Sequence, residues 1–237
     1  MRRLGGSIPV PQINALRFEA IQRLLGDTIG MSDAEWREPS RLPGWTRAHV
    51  ATHLARDGDL MLELTTAALA GRDPVLVSPE ERFTALERGA ERTGVDLQID
   101  LDTSAGRLGQ AWSEVSDWHR PIHFQGRVQP LAVLPLARLN EICVHHLDLR
   151  TEFSLDKVGE EAAAWLLAWV YHLLAPHWQR PVVEVISSSG QTGILGSGTK
   201  VIGPVRGTDA DLWAWLSGRG GPEALTGAGS LRFPLAG

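Results

Sequence analysis

The stretch from Arg138 to Arg150, RLNEICVHHLDLR, constrains the fold more than any other part of the chain. Its aliphatics Leu139, Ile142, Val144, Leu147 and Leu149 are dense, and no Gly or Pro interrupts them, which predicts a helix. Residues three and four apart share a helix face, so Glu141, His145 and Asp148 form one polar stripe among apolar neighbours. An acid and an imidazole at that spacing can grip one metal ion from a single helix, or can sit on a solvated face. A second stretch, RLPGWTRAHVATHLARDGDL from Arg41 to Leu60, weighs toward metal. Pro43 and Gly44 make a turn, and Thr46 can cap a helix running toward Gly71. His49 and His53 are again four apart. Two helices that each carry possible ligands suit a site in a bundle core. Spacing alone leaves open whether His49 or His53 is the ligand, or whether either is a hydrogen-bonded core histidine.

The remaining sequence narrows the class. A chain of 237 residues is long enough for one large domain or two small ones and buries a core without staples. A formal net charge of -5 argues against a nucleic-acid surface. The one cysteine, Cys143, cannot form an internal disulfide and fits a reducing cytosol. No apolar run reaches membrane-spanning length and the N-terminus has no signal-peptide apolar region, so a cytoplasmic protein is expected. Nine tryptophans against one tyrosine have no functional explanation at this level.

In chain order, Gln12 to Leu25 predicts a first amphipathic helix, and Met31-Ser32-Asp33 a capping turn with Trp36 behind it. The His49/His53 helix follows, then a loop from Gly71 to Val77. Ser78-Pro79-Glu80-Glu81 is a strong helix start, with Ser as cap, Pro in the first position and acids in the first turn. It opens a shorter helix that holds Arg82 and Arg92. Asp96 to His119 predicts a further long helix, Pro121 to Gln129 a connection, and Pro135 a kinked or late first turn for the Glu141/His145 helix. The result is a helical bundle. After Phe153 the pattern changes: a helix from Glu160 to Leu174, a strand over PVVEVIS at 181–187, strand-like pieces such as Lys200 to Ile202, a capped helix from Thr208 to Leu216, and a last strand at Leu231 to Pro234. The expected architecture is mainly α, with a four-helix bundle at 1–155 and a small α+β domain at 156–237. The boundary falls between Thr151 and Gly159.

These residues resemble a known family, the mycothiol-dependent maleylpyruvate isomerases of the DinB-like metal-binding helical-bundle superfamily. The matching segments are GWTRAHVATHLA at 44–55, SPEERFTALERGA at 78–90, QGR followed by Pro130, NEICVHHLDL at 140–149, and the tail helix with SGRG at 217–220. They occur in the family's order over nearly the whole chain. The resemblance implies a sterol-carrier-like C-terminal domain. It implies metal ligands at His53, Glu141 and His145, which leaves His49 on a helix face or in support of a ligand. It also implies site roles for Arg82, Asp148 and Arg219, with Arg219 contributed by the second domain and the site in the cleft between the domains.

Two histidines and a carboxylate leave open positions on zinc, as catalytic sites do. Cys143 is rotated about 200° from Glu141 around the helix, so it should point away from the metal as a small buried residue. A thiol must then be brought in, which agrees with the family's use of mycothiol. The implied reaction is addition of the mycothiol thiolate to the cis double bond of maleylpyruvate, rotation about the resulting single bond, and elimination to fumarylpyruvate. Arg82 and Arg219 are candidates to clamp substrate carboxylates and stabilise an enolate. Asp148 is placed to orient a ligand histidine. His145 and His146 are adjacent, so they point about 100° apart and only one can face the metal. His146, His119, His123, His172 and His177 are assigned structural or surface positions. The competing readings are a mycothiol S-transferase acting on an electrophile, a non-catalytic metal-binding module, and a metal-dependent hydrolase. Two cationic clamps would favour the diacid isomerase, and an apolar pocket the transferase.

Overall fold

The structure, a computed structural model, describes residues 8–179 and 181–235. It divides into two compact units, one formed by Val10–Glu152 and the other chiefly by Phe153–Gly237. The protein is mainly helical, with its larger sheet in the C-terminal unit.

The first unit contains α1 (Val10–Thr28), the single-turn α2 (Asp33–Trp36), α3 (Arg47–Ala70), α4 (Pro79–Ala90) and α5 (Gly94–Ser113). A hairpin of β1 (Pro121–Phe124) and β2 (Arg127–Pro130) precedes α6 (Val133–Asp148). Helices α1, α6, α3 and α5 pack in a closed ring, and α4 lies against α3. Ile21, Leu24, Trp36, Val50, Leu54, Leu97, Leu101, Ile142 and Leu149 fill one core among them. Burying an aliphatic side chain of this size stabilises by roughly 1.5–3 kcal/mol, so the apolar spacing read from the sequence becomes the packing force of the bundle.

Local signals set the helix ends. Ser78 accepts a hydrogen bond from the Glu81 amide, and the Glu81 carboxylate accepts from the Ser78 amide at 2.9 Å, a reciprocal cap with Pro79 in the first turn. At α3 the same arrangement uses histidine: Thr46 accepts from the His49 amide, and His49 Nδ1 accepts from the Thr46 amide at 3.2 Å. Helix α3 ends at Gly71, whose φ of 64° is left-handed. Pro135 is the third residue of α6, where amides have no intrahelical acceptor, so the helix accommodates it without a break. Helix α4 approaches α3 closely at Gly89, where a Cβ would lie 2.2 Å from Thr52 Cγ2.

Four expectations change. The segment expected as a connection at 121–129 is the β1–β2 hairpin, turned by Gln125 at φ 51° and Gly126 at φ 72°. Positive φ at both central residues gives the turn that matches strand twist, and Gln is an uncommon residue there. The helix expected to reach His119 ends at Ser113; beyond it, the Trp118 carbonyl accepts from the Ala132 amide and the Arg120 carbonyl from the Leu131 amide. Arg92, expected within the helix that Ser78 opens, lies past the end of α4 and pairs with Asp100 at 2.7 Å. No strand forms at 231–234: Phe233 is buried against Trp178 and Trp215, with ring centroids 4.3 and 4.8 Å away.

The second unit contains α7 (Glu160–Leu174), β3 (Val182–Ser187), β4 (Thr192–Leu195), β5 (Val201–Gly207) and α8 (Asp209–Leu216). Strand β3 is central, antiparallel to β4 and parallel to β5. Thr208 caps α8. Trp169, Trp213 and Trp215 are fully buried in this unit, as Trp36 is in the other, so much of the tryptophan content is core. No described helix is long and apolar enough to cross a membrane.

Candidate metal centre and adjoining cavity

Helix α6 is buried over nearly its whole circumference, with only Glu141 among its residues outside the buried class. A helix held on all sides fixes the direction of its side chains. Glu141 and His145, one turn apart on it, meet His53 from α3. The three residues each offer a ligand atom, and those atoms lie within 4.8 Å of one another. His53 Nε2 and His145 Nε2 are each 3.4 Å from the same oxygen, Glu141 Oε2. A tetrahedral site with metal–ligand bonds of about 2.1 Å has edges of roughly 3.4 Å, so this spacing fits zinc or a similar divalent ion. The two imidazole rings meet edge to face, with centroids 4.7 Å apart.

Asp148, fully buried, accepts from His145 Nδ1 at 3.0 Å. That contact places the ring proton on Nδ1 and leaves the Nε2 lone pair aimed at the cluster. His145 Nε2 is buried and makes no hydrogen bond of good geometry, the state expected of an atom positioned for a ligand. In the metal-free cluster, burial opposes the charge on His145, but the Asp148 and Glu141 carboxylates outweigh it and raise its pKa to about 9. Burial likewise opposes charge on Glu141, and His145 and His53 reverse this and hold its carboxyl well below the ordinary range.

The other sequence candidates separate. His49 serves the α3 cap and approaches Glu87 Oε1 at 3.5 Å, so it does not join the cluster. His146 is buried with Nε2 3.0 Å from Asp27, tying α6 to α1. Cys143 is buried, and burial pushes its thiol up to about 12, which makes it a poor nucleophile. Arg82 is exposed on α4 and lines the same cavity as His53. Arg219 lies in the C-terminal unit, buried, and donates to the Ser217 carbonyl at 2.8 Å.

Sequence reasoning missed one pair. Arg138, fully buried, donates to Asp57 Oδ2 at 2.7 Å and to the Leu54 carbonyl at 2.8 Å. Asp57 lies one turn beyond His53 on α3, and Arg138 one turn before Glu141 on α6. The ion pair therefore bridges the two ligand-bearing helices beside the cluster. The spacing was available, because Asp57 and Arg138 extend the ligand stripes by four and three residues.

A cavity of about 580 Å³ adjoins His53. Its walls come from α3, α4 and the segment between them, and include Trp45, Leu60, Val75, Leu76, Phe83 and Leu86. The Trp45 ring is 5.5 Å from the His53 ring and covers one flank of it.

The family model described as the mycothiol maleylpyruvate isomerase N-terminal domain matches residues 18–150. Among solved structures, that of a mycothiol-dependent maleylpyruvate isomerase superposes with a TM-score of 0.84 at 24% identity, covering 94% of this chain and 95% of the other. The structure of a histidine-to-alanine mutant of such an isomerase superposes with a TM-score of 0.83 at 23% identity over the same shares. At these identities the likeness is one of fold, and no curated protein sequence matches the chain. Because the domain match spans more than half of the 237 residues, including α3 to α6 and all three clustered residues, the chain belongs to the mycothiol maleylpyruvate isomerase family.

Proposed function

We propose that this protein is a zinc-dependent, mycothiol-using cis-trans isomerase of the maleylpyruvate type, acting in the cytoplasm. The observation that carries the reading is the convergence of His53, Glu141 and His145, with His145 held in its ligand tautomer by Asp148, beside an open cavity. A divalent ion held there supplies a lowered pKa to a thiol that binds it. His53, Glu141 and His145 are the ligands, and Asp148 is the positioning residue. The reaction is addition of the thiolate to the cis double bond, rotation about the single bond so formed, and elimination, with no net change in atoms or electrons. Arg82, which lines the cavity, is assigned to pair with a substrate carboxylate. Arg219 is the further proposed clamp.

Mycothiol S-transfer is a second reading, because it needs the same ligands and its electrophiles suit apolar walls. One assay separates the two. Zinc-loaded protein with mycothiol should convert maleylpyruvate to the trans isomer, and His53→Ala should abolish conversion. Accumulation of a stable thiol conjugate would instead establish transfer. Binding of zinc and mycothiol without either product would refute both.

A further inference from the structure

Away from the ligand cluster, two arginines are buried among the helices of the first unit. Arg17 comes from α1 and is 6% exposed; Arg138 comes from α6 and is fully buried. Arg138 Nη1 donates to Asp57 and to the Leu54 carbonyl, but its Nη2 is buried without a hydrogen-bond partner. Arg17 Nε is likewise buried without a partner. Arg17 lies over the Trp112 ring, 5.2 Å from its centroid, and among the described residues no carboxylate pairs with it. Burial first, and then the charge of Arg138, lower the Arg17 pKa to about 10, so the two cations sense one another.

The charges in this layer do not balance. Asp57 offers one negative charge to Arg138, and no described residue offers one to Arg17. A buried charge without a partner costs far more than a buried neutral group, and an unpartnered buried donor marks the place of a water or an ion. The backbone leaves room beside both guanidiniums. A Cβ at Gly58 on α3 would lie 3.4 Å from Arg138 Nη2, and one at Gly109 on α5 would lie 3.6 Å from Arg17 Nη2. Asn14, three residues before Arg17 on α1, has a buried amide oxygen with no donor. Turned over, that amide presents donors on the same helix face as Arg17.

We propose that this interior layer is an anion site, in which Arg17 and Arg138 together hold one small monovalent anion such as chloride. The excess of one positive charge sets the valence, and the burial of both side chains favours a halide over phosphate or an organic acid. The ion supplies the acceptor that Arg138 Nη2 and Arg17 Nε lack. It also steadies the guanidinium that bridges α3 and α6 through Asp57. The site needs neither a metal nor a thiol. A water molecule accepts the same hydrogen bonds but leaves the charge unbalanced.

Full-length protein stripped of metal, so that no bound metal can hold a halide, is unfolded thermally in sodium chloride and in sodium gluconate at equal ionic strength. Chloride should raise the midpoint saturably, by roughly 2–4 °C at about five times its dissociation constant. Chloride NMR line broadening by the folded protein should saturate over the same range. Arg17→Met keeps an apolar stem over Trp112 and removes the charge, and it should lose both responses. Crystals of the unaltered protein grown in bromide give a reading that needs no variant: one anomalous peak within hydrogen-bond reach of Arg17 and Arg138. Equal midpoints in the two salts, a chloride response that survives in Arg17→Met, or water alone beside the two arginines in the bromide crystals would overturn the proposal.

Discussion

Helices α6 and α4 face the same chemistry from opposite physical regimes. Helix α6 is enclosed by the bundle, and its proposed ligands are held by packing, with Asp148 accepting from His145. Helix α4 buries only Gly89, and its contribution to the cavity is exposed: Arg82 and Phe83, beside the strap from Val75 to Val77. Reactivity is assigned to the rigid helix, where a misplaced ligand atom would be most damaging. Selectivity is assigned to the exposed one, where side chains can change without disturbing the core. Ligand sets placed on rigid elements hold their geometry better than those on loops.

The comparison breaks most severely if the enclosed side is loosened. Arg138→Ala leaves the Asp57 carboxylate in the bundle without its counter-charge, a change that costs about 3–5 kcal/mol. Thermal unfolding of the metal-free protein should shift downward accordingly, and an unchanged midpoint would remove the pair from the account. Asp148→Asn is milder. It keeps the shape but allows His145 the wrong tautomer, and metal affinity should fall by roughly 10–100-fold while the fold persists. Affinity measured by competition with a chelator checks this.

The pH response follows from His145. Its folded pKa of about 9 stands above its ordinary value of 6.5, so the folded metal-free protein holds the proton through that window. The stabilisation is complete below pH 6.5 and is lost as pH rises through 9. A metal competes with that proton, so metal affinity should rise over the same interval. Stability that increases from pH 6.5 to 9 would contradict the Asp148–His145–Glu141 arrangement.

The smallest stability effect belongs to the exposed side. Glu63→Gln breaks a solvated ion pair, which contributes little to stability at the surface. It should leave unfolding nearly unchanged yet raise KM, because the strap is no longer fixed to α3. A large loss of stability with unaltered KM would reverse the roles given to the two helices.

These regimes also explain what was legible in the sequence. The ligand stripe on α6 and the caps at Thr46 and Ser78 are local patterns with fixed spacing, so they appear in the residue order itself. The choice between His49 and His53 was open in the spacing; His49 Nδ1 accepts the Thr46 amide and caps α3, whereas His53 meets Glu141 and His145 from another helix. Asp57 and Arg138 extend those stripes, but residue order does not show that charges on two separate helices meet. The strap was hidden differently. Val75, Leu76 and Val77 sit in a segment without periodicity, where the Val75 amide is tied to Glu63 and all three side chains are exposed. The hairpin at 121–130 escaped because its turn uses Gln125 where Asn or Asp would have signalled it.

X-ray absorption at the zinc edge, recorded on zinc-loaded protein before and after mycothiol, tests the central claim most directly. The predicted first spectrum has two imidazoles and a carboxylate with no sulfur scatterer, and the second gains one sulfur at about 2.3 Å. A site already filled by four protein ligands, or one that takes no sulfur when mycothiol is bound, would contradict it.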